Sequence, residues 1–386
     1  VHRVKRRLVL ITEIISPYRI PLFNVLARHA DVDLHVIFLA ETDPDLRKWK
    51  IYKDEIKFSY QVLPSWRKRV GRYNWLLNRG VGSALSAAGP AVVLCGGYNY
   101  VASWQALLWS KTHQVPFLLW SESNLQDIRR GNAMVEFLKD EFLSRCSGFV
   151  VPGYSAAEYL RSRKIKEGSI FVAPNAVDNE LFAEAAAETR SHAPIRRSEL
   201  GLPERYFLFV GRLVSEKGVL ELLSAYARLD KEIREQVGLV FVGDGAERPQ
   251  LEAIASGISP GVVKFAGFAQ REVLSSYYAL AEVLILPTYT DPWGLVVNEA
   301  MACALPVIVS QVAGCAADLV RENWNGMLIP PGDESSLAVA MENLARQPLL
   351  RDAMSANSLQ HISQYSPEAW SLGIARAVER TGAARD

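Results

Sequence analysis

Short runs of Val, Ile, Leu and Phe recur along the whole of this 386-residue chain, and most are succeeded by a stretch with helical spacing. In the first half these runs are RLVLITEII, DLHVIFLA, FSYQVLP, AVVLCGG, PFLLWSES, GFVVPGY and SIFVAPNAVD. In the second half they are YFLFVGRL, LVFVGDG, VVKFAGF and VLILPTY, then LPVIVS, DLV and GMLIPPGD. A half-solvated antiparallel strand alternates apolar and polar residues, whereas a parallel strand covered by helices on both faces is apolar throughout. The intervening segments carry the helical period, as in PLFNVLARHA with Leu22, Phe23, Leu26 and Ala27 on one face. The chain therefore reads as α/β with parallel sheets.

The pattern runs, weakens and restarts, so two doubly wound, Rossmann-like domains in tandem are expected. The first spans residues 1–185 and the second 203–365. The Ala-, Arg- and Ser-rich stretch 186–202 is read as the linker between them. Residues 366–386 form a terminal helix, with Ser366 as its cap and Pro367 in its first turn.

Composition removes several classes. The four cysteines (Cys95, Cys146, Cys303 and Cys315) lack disulfide or metal-ligand spacing, and the six histidines make no ligand pair. No metal is expected. No apolar segment reaches about 18 residues, so no membrane span is expected, and the basic start reads as a charged tip before a first buried strand. A cytoplasmic location is expected, at or away from the inner face of the membrane.

The net charge of +1 hides an asymmetry: residues 1–180 hold 25 Lys+Arg against 17 Asp+Glu, and the rest 18 against 25. Much of the positive excess lies in LPSWRKRVGRYNW, which interleaves Arg67, Lys68, Arg69 and Arg72 with Trp66, Tyr73 and Trp75. That mixture suits an anionic membrane face or an acidic acceptor, and equally a solvated loop. One short patch in a near-neutral chain is a poor basis for nucleic-acid binding.

In open α/β sheets ligands sit beyond the carboxyl ends of the strands, so the turns there carry the functional information. GRLVSEKG supplies Gly211 for a sharp turn, with Arg212 and Lys217 as two cations suited to a diphosphate; a solvated loop is the alternative. VGDG places Gly243 at the next strand end, a turn signal of little specificity. FAGF offers Gly267 and Phe268 as a lip for a planar base, or a buried strand edge. DPWGLVVNEAMAC is the sharpest. Gly294 opens a helix whose first N–H groups, at Leu295 and Val296, can meet a phosphate. Glu299 can accept from two vicinal hydroxyls, and Asp291 from hydroxyls elsewhere on the same ligand. Loop capping by Asp291 and helix-dipole complementation by Glu299 are the plainer uses.

Taken in order, GRLVSEKG, VGDGAERPQL and DPWGLVVNEAMACALPVIVS resemble the donor-binding domain of the retaining glycosyltransferases of family 4, which have the GT-B fold. PNAVD (174–178) resembles the segment ending that family's first domain, and YSPEAW the start of its returning helix. The resemblance implies two Rossmann-like domains facing a central cleft. It implies transfer of a sugar, with retained configuration, from a UDP- or GDP-sugar to a saccharide or lipid-linked hydroxyl. No separate cofactor is implied, because the nucleotide sugar is a co-substrate.

By the same carry-over, Gly211, Arg212, Lys217, Gly243, Gly267, Phe268, Leu295, Val296 and Glu299 hold the nucleotide. Asp291, Pro292, Trp293 and Gly294 face the donor sugar, and Arg212, Lys217, Asp291 and Glu122 act in catalysis. Two departures concern the sugar: the first motif acid is Asp291 rather than Glu, and Glu122 stands where the family often has His. SPYRIP (16–21) replaces the family's glycine-rich first turn, which makes Tyr18 and Arg19 candidates for contact with acceptor or donor phosphate; Glu122 and, from the basic stretch, Arg67 are further candidates for acceptor contact. A nucleotide-sugar epimerase of the same fold is the alternative activity. A dinucleotide-dependent oxidoreductase is the second, although no G-x-G-x-x-G turn succeeds a strand here.

Overall fold

The computed structural model describes residues 5–43, 48–70, 73–125 and 133–382. The chain divides into two compact units, residues 1–175 with 367–386 (unit 1) and residues 176–366 (unit 2).

The strands of unit 1 are β1 (Arg6–Thr12), β2 (Val32–Phe38), β3 (Ser59–Val62), β4 (Ser65–Val70), β5 (Tyr73–Asn78), β6 (Val92–Gly96), β7 (Phe117–Trp120), β8 (Gly148–Val151) and β9 (Ile170–Val172). Seven of them form one parallel sheet in the order β3-β2-β1-β6-β7-β8-β9. The apolar stretches of its central strands, residues 8–11, 92–95 and 117–120, are buried, as a parallel sheet covered on both faces requires.

Unit 2 holds β10 (Tyr206–Val210), β11 (Gly238–Val242), β12 (Val263–Gly267), β13 (Val283–Leu286), β14 (Val307–Ser310) and β15 (Gly326–Ile329). They form a second parallel sheet, β12-β11-β10-β13-β14-β15. Strand order reverses between β1 and β6 in unit 1 and between β10 and β13 in unit 2. At such a point the loops of two neighbouring strands turn to opposite faces and leave a crevice, so the loops after β10 and β13 are where a ligand is expected.

Helix Pro367–Gly382 is part of unit 1. Trp370 is fully buried, with its ring centroid 5.7 Å from that of Phe23 and 5.3 Å from that of Trp120. A Cβ on Gly373 would stand 2.4 Å from the Val172 carbonyl oxygen, so the helix seats against β9 only because that position is glycine.

Three expectations are corrected. Residues 186–202 are not a linker: helices Asn179–Ser191 and Ala193–Leu200 occupy most of them, and the units divide at 175/176. Phe182 and Ala186 are buried in the core of unit 2, and Arg190 donates to the Ala279 carbonyl at 3.1 Å. Asp318–Val320 is not a strand, because Leu319 ends the short helix Ala316–Leu319. Residues 65–78 are not a plain loop but an antiparallel hairpin, β4 with β5, pairing Trp66 with Leu77 and Lys68 with Trp75.

Candidate nucleotide-sugar site

In unit 2 the loops after β10, β11 and β12 are joined through the backbone. Gly211 N–H donates to Val242 C=O, Gly243 N–H to Gly267 C=O, and Leu213 N–H to Asp244 C=O. This seam demands glycine at Gly243, where φ is +135° and a Cβ would lie 1.8 Å from the Gly211 carbonyl oxygen. Gly243→Ala should therefore lower the unfolding free energy by about 3 kcal/mol or more. Gly257→Ala, whose Cβ meets nothing closer than 3.5 Å, is the matched control in urea unfolding. Beside the seam, Phe268 is exposed while Phe265 stacks on Phe241 at 5.2 Å, so only the second aromatic of FAGF is available as a lip.

The loop 211–218 leaves β10 through Arg212, which is exposed and makes no ion pair among the described residues. Lys217 comes next, in a single 3₁₀ turn, Ser215–Lys217. A Cβ on Gly218 would lie 2.1 Å from the Pro287 carbonyl oxygen, so the loops after β10 and β13 touch here. Tyr289 N–H and the Thr288 hydroxyl both donate to Glu216 C=O at 2.9 Å.

This contact brings Lys217 Nζ to 2.6 Å from Asp291 Oδ2, with both side chains mostly buried. Asp291 Oδ1 also accepts from Trp293 N–H at 3.2 Å. The two groups assigned to different parts of the ligand are thus first of all each other's partners. A second Lys217 N–H reaches the Thr290 carbonyl at 3.4 Å, and because an ammonium has three donors one N–H is left to aim elsewhere.

Gly294, at φ +97°, caps helix Leu295–Ala302. Val297 N–H donates to Gly294 C=O, whereas the N–H groups of Leu295 and Val296 precede that first bond and have no acceptor among the described residues. Such a terminus attracts an anion. Glu299, one turn further in, is half-buried and accepts the Tyr278 hydroxyl at 2.6 Å. Desolvation pushes its pKa up to about 7 against the lowering effect of that hydrogen bond, and Tyr278 itself is raised. Sequence reasoning misses Tyr278 because it lies 21 residues upstream, on a different helix.

Trp293 is a correction. Its side chain is 3% exposed, in the core of unit 2, and its indole N–H donates to the buried Asn298 at 2.8 Å. It anchors the turn and offers no face to a sugar. Pro292 beside it is exposed. Gly294 is buried, and a Cβ there would meet Leu286 Cδ2 at 2.9 Å.

Unit 1 carries its own polar group at the strand ends. Pro17–Arg19 forms a 3₁₀ turn after β1, and the Arg19 guanidinium lies 4.2 Å over the Trp120 ring. Arg19 pairs with Glu122 Oε1 and donates to Asn175 Oδ1 at 3.0 Å; Asn175 Nδ2 donates to the same Glu122 oxygen at 3.1 Å. Arg19 and Glu122, separate candidates in the sequence, are one constellation, and Asn175 of PNAVD completes it. Tyr18 is turned instead edge-on to Trp49, at 5.8 Å. Arg67 is the second correction. It is held by Glu13 at 3.2 Å and by Asp43, which fasten the hairpin to unit 1 and leave no open guanidinium for an acceptor. Arg72 lies outside the described residues.

Two parallel, doubly wound units whose strand-end loops form these sites define the GT-B class of fold. HepE of Anabaena, solved in complex with UDP and glucose, superposes with a TM-score of 0.74 at 17% identity, covering 97% of this chain and all of the other. A sucrose-phosphate synthase from Thermosynechococcus elongatus gives 0.73 at 22% identity, with 98% of this chain covered and all of the other. Residues 194–361, most of unit 2, match the family described as glycosyl transferases group 1. Among curated relatives, the alpha-D-kanosaminyltransferase of Streptomyces kanamyceticus is 33% identical over 175 residues, 45% of each chain. A D-inositol 3-phosphate glycosyltransferase of Thermomonospora curvata is 29% identical over 221 residues, 54% of this chain and 50% of the other. The chain spans about half the length of the curated relatives it matches.

Proposed function

We propose that this chain is a family 4 glycosyltransferase that moves a sugar from a nucleotide diphosphate sugar to an acceptor hydroxyl and keeps the anomeric configuration. The observation that carries the reading is the set of groups at the strand ends of the segment matching glycosyl transferases group 1. It comprises Arg212 with no ion pair among the described residues, Lys217 with one N–H to spare, and two open backbone N–H groups in the first turn of a helix. That HepE binds UDP supports a uridine nucleotide as the first donor to test.

In this reading the bond between the sugar C1 and the diphosphate oxygen breaks as the acceptor oxygen bonds to C1 on the same face. The acceptor hydroxyl proton passes to the leaving diphosphate. Negative charge grows on that diphosphate, and Arg212, Lys217 and the amides of Leu295 and Val296 stabilise it more than they stabilise the ground state. Glu299 takes the ribose hydroxyls. Asp291, with both oxygens already engaged, aims Lys217 and touches the sugar through its remaining lone pairs. Glu122, steadied by Arg19 and Asn175, keeps its second oxygen for a hydroxyl of a saccharide or lipid-linked acceptor.

Arg212→Ala tests the assignment cleanly because no ion pair among the described residues is lost with it. With UDP- and GDP-sugars as donors, kcat/KM should fall about a hundredfold, the usual cost of one preorganised donor, while the melting temperature stays unchanged. Wild-type turnover in this variant would refute the placement of the diphosphate.

A further inference from the structure

We propose that the β4–β5 hairpin is a docking element that seats unit 1 on an anionic bilayer surface. The pairing register sorts its side chains onto two faces. Arg67 and Leu76, paired across the strands, point inward: Leu76 is 2% exposed, and Arg67 is held by Glu13 and Asp43. Asn78, on that same face, donates to the Leu39 carbonyl at 2.5 Å. The hairpin is thus fastened along one side.

The other face carries Trp66 at 55%, Trp75 at 52% and Leu77 at 40% exposure, with Lys68 exposed between them. A strand pair that fastens one face through Leu76, Arg67 and Asn78 and turns two tryptophans outward suits an amphipathic environment on the second face. Indole rings with a lysine beside them fit the headgroup layer, where the ring is half-buried and the ammonium meets lipid phosphate. Charge selects an anionic surface as the occupant. Unit 1 carries 28 Lys+Arg against 18 Asp+Glu, whereas unit 2 carries 15 against 24. Among the described residues no helix is long and apolar enough to cross a membrane, so the contact is peripheral.

The test is co-sedimentation of the full chain with vesicles of phosphatidylcholine mixed with phosphatidylglycerol, and with vesicles of phosphatidylcholine alone. The wild-type chain should bind the anionic vesicles, and should lose that binding in high salt. Trp66→Ala with Trp75→Ala, and separately Lys68→Glu, should each weaken it on the order of tenfold. Lys68→Glu points into solvent and reads the surface even where the double variant fails to fold.

Absence of binding to anionic vesicles overturns the proposal, and so does wild-type affinity in Lys68→Glu together with a folded tryptophan variant. Helix Ala133–Arg145 exposes Met134, Val135, Phe137 and Leu138 as a second apolar strip. Loss of binding in Met134→Ser with Phe137→Ser alone would move the surface to that helix. A concentration-dependent dimer that Trp66→Ala with Trp75→Ala dissociates would identify a second copy as the occupant instead. None of these outcomes touches the binding of a nucleotide sugar, which is measured without lipid, so this proposal and the glycosyl-transfer reading fail independently.

Discussion

Lys217→Ala is expected to lower kcat/KM on the order of a hundredfold and, unlike Arg212→Ala, to lower stability as well. The difference comes from the partners. Arg212 has no ion pair among the described residues, whereas Lys217 neutralises Asp291 at 2.6 Å in a setting where both side chains are mostly buried. Removing the ammonium leaves a carboxylate that still accepts from Trp293 N–H but has lost this countercharge, at a cost of about 1–3 kcal/mol. Lys217→Ala with Asp291→Asn should recover most of that stability and none of the turnover, because the diphosphate still lacks its cation. A calorimetric melt beside a steady-state assay separates the two effects. Turnover within about threefold of wild type in Lys217→Ala would remove Lys217 from the chemistry.

Glu299→Gln should change the pH dependence of both stability and affinity. Burial holds the native carboxyl at about 7, against an ordinary value of 4.5, so between those limits the folded chain keeps a proton that the unfolded chain releases. The stabilisation is complete below pH 4.5 and declines as pH rises to 7, by up to about 3 kcal/mol. The glutamine variant has no such proton, so it should lack this decline and should exceed wild type in urea unfolding above the native pKa, at about pH 8. Nucleotide affinity should move the other way. Ribose hydroxyls donate to the carboxylate form, so binding by the wild-type chain should tighten between about pH 6 and 8 with release of a proton. The variant should bind about ten- to a hundredfold more weakly at the upper end and show no such trend. A nucleotide sugar is the ligand to use, because its diphosphate does not titrate in that range. Equal pH profiles in both proteins would show that Glu299 is not the ribose partner.

Much of this is legible in the sequence, for a definite reason. A parallel strand covered on both faces is an apolar run, and each such run is closed by a strand-end loop, so pattern puts Arg212, Lys217 and Asp291 in such loops and Glu299 in the helix that follows one. Direction and pairing are not legible. Lys217 and Asp291 are 74 residues apart and meet only because β10 and β13 are neighbours in the sheet. The resemblance places Trp293 at the donor sugar, but an indole N–H needs an acceptor, and Asn298 supplies one inside the core. Arg67 passes for an open cation because the period-two alternation of β4 is hidden in a run of charges. The stretch 186–202 looks like a linker because alanine contributes little apolar bulk, yet Ala186 buries as completely as a larger side chain would.

The discontinuity of unit 1 has a consequence for biosynthesis. Unit 2 is built from one uninterrupted segment, 176 to 366, so it closes without waiting for a distant part of the chain. Unit 1 is begun earlier yet completed later: the groove lined by Phe23 and Trp120 stays open until Trp370 has been translated and delivered. Until then Phe23 and Trp120 lack the ring they pack against, so the last segment to arrive is the one that closes the first unit.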